Sequence, residues 1–127
     1  MFSIFKQPLF RTVLIIATVS FCLLPQTIKA DTMPLSQTEI DRELATIPEW
    51  QQEAQTISRT FKFKNFVEAI AFVDKLVEPA EAAGHHPDIA ISYNKVTVSL
   101  TTHDAGGLTQ KDFDLAQTIS QLAKQTT

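Results

Sequence analysis

The three histidines of the chain all lie between residues 85 and 103. His85 and His86 are adjacent and precede Pro87, which favours an extended backbone at His86 and directs the two imidazoles to different sides. His103 follows a predicted strand and precedes a glycine-containing loop, the kind of position at which catalytic groups are often carried. Because histidine exchanges a proton near neutral pH, the three imidazoles could supply both the acid and the base of one reaction.

Two carboxylates lie close to these histidines along the chain. Glu81 precedes His85 by four residues, so the two side chains share one helix face if the helix continues that far. The carboxylate of Glu81 would then hold one tautomer of His85 and raise its basicity. Asp104, beside His103, could act in the same way.

The spacing of these residues alone leaves other interpretations open. A His-His-Pro segment can simply end a helix at the surface. Three histidines and a carboxylate could bind zinc, although adjacent histidines seldom turn to the same ion and the usual i, i+4 pair is absent from the sequence. Trp50 is typical of a core or sheet-edge anchor, and Asp112 is most simply a helix cap. The sequence has no serine or cysteine nucleophile signature and no phosphate-binding glycine loop.

Hydrophobic residues repeat every three to four positions in three segments, each preceded by a residue that caps helices: Ser36, Asn65 and Thr109. Glu39 and Asp112 complete the spacing of a capping box in the first and last of them. The second segment is apolar around much of its surface, which predicts burial on more than one side, either within the domain or against a second subunit. Gly84 is predicted to cap its end, and Pro87 prevents it from continuing.

Alternating apolar and polar residues predict two hairpins, at residues 50–63 and 89–102. Ile57, Phe61 and Phe63 fall on one face of their strand, as expected for a sheet that is covered on one side. The second hairpin is predicted to turn at Asn94-Lys95. The order α-β-β-α-β-β-α therefore predicts an α+β fold, a four-stranded antiparallel sheet with three helices packed on one face.

Residues 1–30 have the pattern of a secretory signal peptide, with basic residues before an apolar run and Ala30 at the expected cleavage position. The run from Thr12 to Pro25 has about 14 residues, fewer than the roughly 20 that span a bilayer as a helix. We therefore expect an exported protein, periplasmic or secreted. The alternative is an uncleaved N-terminal anchor, which would then be the chain's contact with a membrane.

Residues 31–127 are predicted to form one domain, and this part carries all 14 acidic residues but only 8 of the 11 basic ones, a net charge of −6. Such an acidic domain without a basic patch argues against nucleic acid as a direct ligand. Cys22 is the only cysteine and lies in the predicted leader, so disulfides have no part in the domain.

The segment Glu81-Ala-Ala-Gly-His85-His86-Pro87 resembles the signature of the pterin-4a-carbinolamine dehydratase family, which is an acidic or polar residue, three others, and then His-His-Pro. The resemblance continues without gaps to Ala116, through Tyr93-Asn94-Lys95-Val96 and Thr101-Thr102-His103-Asp104. Trp50 and residues 61–66 also look like the family's. The resemblance covers about residues 36–124, nearly the whole predicted domain.

This resemblance implies a hydro-lyase that converts 4a-hydroxytetrahydropterins to quinonoid dihydropterins, in the recycling of tetrahydrobiopterin, and that needs no metal or organic cofactor. It implies that His85, His86 and His103 are catalytic, with Glu81 orienting His85 and His86 the strongest contributor. Which imidazole is the acid stays open. The residues that it implies at the substrate are Gly84, His85, His86, Thr101, Thr102, His103 and Asp104.

The resemblance also implies a homodimer or homotetramer. Asp104 stands where the family frequently has glutamate, so a contact to the pterin is lost or bridged by water, and Thr101 keeps the hydroxyl of the more frequent serine. Export departs from the cytosolic setting of pterin recycling. The alternative function is therefore a non-catalytic, exported binding or assembly module that keeps the same fold.

Overall fold

The computed structural model describes residues 33–126, and the predicted leader at residues 1–30 lies outside them. The elements in chain order are α1 (Gln37–Leu44), β1 (Gln51–Glu53), β2 (Thr56–Lys62), α2 (Phe66–Lys75), α3 (Val77–Ala83), β3 (Asp88–Ser92), β4 (Lys95–Leu100) and α4 (Gln110–Lys124). A 3₁₀ turn at His103–Ala105 precedes α4. Within this described part, every helix is too short or too polar to cross a membrane.

The strands form one antiparallel sheet in the order β1-β2-β4-β3. The two predicted hairpins are joined by pairing of β2 with β4, which places Ile57 opposite Leu100 and Phe61 opposite Val96. The apolar side chains of β2 and β4 are buried on one face, where they form a core with residues of the helices such as Phe113. The predicted α+β fold with a four-stranded antiparallel sheet is therefore confirmed.

Local side-chain interactions fix the helix starts as predicted. Ser36 and Glu39 form a capping box at α1, and Asn65 accepts a hydrogen bond from the backbone N–H of Glu68 at α2. Trp50 is buried as a core anchor, and its Nε1–H donates to the Ser120 hydroxyl at 2.9 Å. The same hydroxyl accepts from the Arg59 guanidinium at 3.1 Å, which ties the sheet to α4.

The second predicted helix is in fact two helices, α2 and α3, separated at Leu76. Pro79 explains the break, because a proline has no N–H to donate and its ring would clash with the carbonyl of Lys75 in a continuous helix. The prediction of one uninterrupted helix was therefore wrong. Leu76 and Ala80 nevertheless remain buried on either side of the break.

Seven large apolar side chains of α2, α3, β3 and the turn after β3 are exposed. We call this the α2–β3 apolar surface, and its residues are Phe66, Val67, Ile70, Val77, Ile89, Ile91 and Tyr93. Val77 and Ile89 line the same cleft, so the helical part and the strand part of the surface meet there. The prediction that the second helical segment is buried on more than one side is thus not met within the single chain.

Candidate active site

The end of α3 turns the chain towards a polar cavity. Gly84 has φ 56° and ψ 36°, a left-handed conformation that glycine adopts without steric cost. Its N–H donates to the Glu81 carbonyl and the N–H of His85 donates to the Ala80 carbonyl, each at 3.1 Å. These are the two bonds of a Schellman motif. His85 therefore leaves the helix and does not share a helical face with Glu81.

Each of the two adjacent histidines has its own carboxylate. His85 Nε2 lies 2.7 Å from Asp112 Oδ1, and His86 Nε2 lies 2.8 Å from Glu81 Oε1. The expectation that Glu81 would orient His85 is therefore wrong. The helix ends before His85, and the imidazole that contacts Glu81 is that of His86. The first pair is buried, with side chains 10% and 0% exposed, whereas those of His86 and Glu81 are 63% and 70% exposed.

Asp112 accepts hydrogen bonds on both carboxylate oxygens. Its Oδ2 accepts from the backbone N–H of Thr109 at 2.8 Å and from the hydroxyl of Thr102 at 2.8 Å, and Oδ1 faces His85. When the Asp112 carboxylate is ionised it can only accept, so His85 Nε2 is then the donor of the His85–Asp112 bond. The neutral imidazole of His85 then carries its lone pair on Nδ1, where it can accept a proton.

Asp112 is the partner of His85 that the sequence interpretation missed. Its predicted role as a cap is confirmed, because its carboxylate accepts the N–H of Thr109 at the start of α4. Capping uses only one of the two oxygens, and the second oxygen is what reaches His85. The signal in the sequence was a capping carboxylate with one unused oxygen, in a chain that also has a cluster of histidines. No rule of local sequence, however, pairs residues that are 27 positions apart.

His103 and Asp104 lie in an exposed loop whose two ends are joined by backbone hydrogen bonds. Thr102 and Gly107 exchange two backbone hydrogen bonds, of 3.2 and 3.4 Å, across the 3₁₀ turn. Within residues 33–126 no hydrogen bond joins Asp104 to His103. The expectation that Asp104 would hold His103 is therefore not met, and both side chains are free to face a ligand.

A cavity of about 300 Å³ lies between the end of α3, the end of β4 and the start of α4. The structure brings together all the residues predicted at the substrate, and the cavity is lined by Gly84, His85, His86, Thr101, Thr102, His103, Asp104 and Lys111. Its volume is at the lower end of the range for small-molecule sites, about 300–1,000 Å³. Glu81 lies instead in a neighbouring apolar cleft, which shares His86 with the cavity.

The spacing of the three histidines and a carboxylate left zinc binding open as an interpretation. Across the part of the chain that the structure describes, no group of three or more histidine, cysteine, aspartate or glutamate side chains is arranged to hold a metal ion. The same part has no buried side-chain nitrogen or oxygen that lacks a hydrogen-bond partner.

The fold and the cavity together define a two-layer α+β domain in which three imidazoles surround a small polar site, an arrangement suited to acid–base chemistry. The family model described as pterin 4 alpha carbinolamine dehydratase matches residues 33–122. The chain belongs to this family.

Similar proteins agree with this assignment. A protein of Picosynechococcus sp. is 72% identical over 88 residues, which are 69% of this chain and 96% of that one, and a protein of Cyanothece sp. is 68% identical over 90 residues, 71% and 93% of the two chains. Both carry the name "Putative pterin-4-alpha-carbinolamine dehydratase". A crystal structure of a transcriptional coactivator/pterin dehydratase from Brucella melitensis is 34% identical, with a TM-score of 0.69, and the match covers 71% of this chain and 98% of that one.

Proposed function

We propose that this protein is an active dehydratase that removes water from a 4a-hydroxytetrahydropterin and releases the quinonoid dihydropterin. The observation that carries the proposal is the buried His85–Asp112 pair, whose histidine lines one cavity together with His86 and His103. Membership of the family and the names of the similar proteins support the pterin as the substrate class.

The reaction needs one acid and one base and no change of oxidation state. The bond from C4a to its hydroxyl oxygen breaks, and a proton from the acid converts the leaving group to water. The base removes the proton on N5, and its electron pair forms the double bond between N5 and C4a. Two histidines on different sides of the ring can perform both transfers.

The surroundings of the two adjacent histidines suggest different roles for them. In this proposal His85 is the base, because Asp112 holds the proton on Nε2, leaves Nδ1 as the acceptor and stabilises the imidazolium that forms. His86 is the acid, because Glu81 engages its Nε2 and leaves the Nδ1–H of the protonated ring to donate to the leaving hydroxyl. His103 borders the cavity from the loop after β4 and orients the ring.

The dehydration rate of the purified domain tests this proposal. A 4a-hydroxytetrahydropterin is generated in the cuvette, and its loss is followed by absorbance with and without protein. His86→Ala is expected to lower kcat by about 100-fold or more, the usual contribution of a general acid. A wild-type rate equal to the uncatalysed rate would refute catalysis and favour the binding-module alternative. An unchanged rate in His86→Ala would refute the role of His86.

We also propose that the protein is a homo-oligomer that buries the α2–β3 apolar surface. This surface carries seven exposed large apolar side chains, and large exposed apolar patches commonly mark contacts between proteins. In addition, β3 is an edge strand, whose free backbone groups can pair with another chain. Light scattering should give a dimer or tetramer, and Val77→Glu should shift it towards monomer, whereas Thr60→Glu, an exposed position on β2, should not. A monomeric wild type would contradict the proposal.

The proposal for residues 1–30 is export, with cleavage after Ala30. Its support is the sequence pattern alone. Fractionation of the native host, followed by mass measurement of the N-terminal peptide, tests it. Recovery of the uncleaved chain with the cytosol would contradict it.

A further inference from the structure

Lys111 is the one lysine or arginine among the residues that line the histidine cavity. It is the second residue of α4 and is half-buried beside Asp112. Within residues 33–126 its ammonium makes no hydrogen bond and no ion pair. The nearest acidic residue on its own helix face, Asp114, accepts instead from the side chain of Gln110 at 3.0 Å.

A lysine in this position has no stabilising role that the folded chain shows. The first turn of a helix carries the positive end of the helix dipole, so a cation there is unfavourable. A ligand oxygen placed in the cavity would offset this effect.

The chemistry of the proposed substrate identifies that oxygen. In a pterin the carbonyl oxygen on C4 and the nitrogen N5 lie side by side on the same edge of the fused rings. A base that removes the proton from N5 must therefore have the C4 oxygen as its neighbour. His85 is held by Asp112, and Lys111, the residue before Asp112 in α4, lines the same cavity as His85.

We propose that Lys111 is a substrate-binding residue whose ammonium donates a hydrogen bond to the C4 carbonyl oxygen of the pterin. This inference rests on the pterin dehydratase function proposed above. It makes Lys111 the residue that distinguishes a 4-oxo ring from a ring with a donor group at C4. The contact would also hold N5 against His85.

Calorimetric titration with two ligands tests the inference. The first ligand is 7,8-dihydropterin, which has the C4 oxygen, and the second is its 2,4-diamino counterpart, in which an amino donor replaces it. Lys111→Met keeps the length and the helix propensity of the side chain without its charge, and Lys111→Arg keeps the charge. Lys124→Met, at the exposed far end of α4, is the matched control for the loss of one positive charge.

We expect Lys111→Met to weaken binding of 7,8-dihydropterin by about tenfold or more, as for loss of a charge-assisted hydrogen bond. The diamino ligand should bind the wild type weakly and lose nothing further in Lys111→Met. Lys111→Arg should retain most of the affinity for 7,8-dihydropterin, and Lys124→Met should bind both ligands like the wild type. In turnover, Lys111→Met should raise KM more than it lowers kcat.

The outcomes separate this inference from the function on which it rests. If the wild type does not bind 7,8-dihydropterin, both are overturned. If the wild type binds it and Lys111→Met binds it equally well, the pterin site stands and the role of Lys111 is overturned. An equal loss for both ligands in Lys111→Met would likewise overturn the contact to the C4 oxygen, since it would show a general effect of charge.

Discussion

Replacing Asp112 by asparagine tests whether the tautomer of His85 matters for the reaction. Asparagine has the same shape but one acceptor oxygen and one NH₂ donor. The oxygen is expected to stay with the two donors now at Oδ2, the N–H of Thr109 and the hydroxyl of Thr102. The NH₂ group then faces His85 Nε2, which must accept, so the proton of the imidazole moves to Nδ1. The lone pair that we assign to the base would point away from the substrate.

The size of the effect follows from these contacts. A general base contributes about 10²- to 10⁴-fold, so kcat should fall by at least about 100-fold. Stability should fall by about 1–3 kcal/mol, because the hydrogen bonds to a charged acceptor become bonds to a neutral one. Asp112→Ala should cost more, because it leaves several buried donors without an acceptor, at about 1–3 kcal/mol for each unsatisfied group. Asp114→Asn, on the exposed side of the same helix, is the matched control and should change stability by no more than about 0.5 kcal/mol.

Three measurements on the Asp112→Asn protein test whether the tautomer of His85 determines the rate. Nitrogen-15 NMR of the imidazoles reports which ring nitrogen of His85 carries the proton, denaturant unfolding gives the stability, and the dehydration assay gives kcat. If the protein is folded, the proton has moved to Nδ1 and kcat equals that of the wild type, then His85 is not the base. If kcat falls while the tautomer is unchanged, the reasoning from the tautomer is refuted.

Three further predictions concern the scaffold. Ser120→Ala removes the acceptor of the buried Trp50 Nε1–H and should cost about 1–3 kcal/mol in denaturant unfolding, whereas a neutral result would mean that water replaces the hydroxyl. Gly84→Ala should cost about 1–2 kcal/mol from the left-handed backbone alone, since an added Cβ meets no atom within 4 Å, and no loss would show that the turn relaxes. Hydrogen bonds from Ser36 lower the pKa of Glu39, so this carboxylate contributes stability that is present above its unfolded pKa and is lost as the pH falls through its folded pKa. NMR titration should show the pKa of Glu39 rising in Ser36→Ala, and an unchanged value would contradict the cause.

Features set by neighbouring residues could be predicted from the sequence. The caps at Ser36 and Asn65 and the alternation along β2 depend on contacts within a few positions, and the structure confirms them. The break in the second helical segment has a local cause too, the proline at position 79, but the apolar repeat that continues through it concealed the break.

The partners of the histidines could not be predicted in the same way. The four-residue spacing of Glu81 and His85 is a helical rule, and it fails because the left-handed Gly84 ends the helix between them. The contact of His85 with Asp112 depends on how α3 packs against α4, which periodicity does not specify. The same holds for Lys111, whose place at the cavity is visible only once α4 is positioned.

The buried carboxylate of Asp112 connects three separate segments: it caps α4 through Thr109, it accepts from Thr102 after β4, and it holds His85 after α3. Releasing this carboxylate would therefore remove a hydrogen bond from all three segments at once. The amide hydrogen of Thr109 should accordingly exchange with solvent only as slowly as the whole domain unfolds. In many enzymes, replacing a strained or poorly paired active-site residue raises stability and lowers activity. Under the mechanism proposed above, Asp112 is an exception, because the side chain that positions the base is also the one that joins the three segments of the fold.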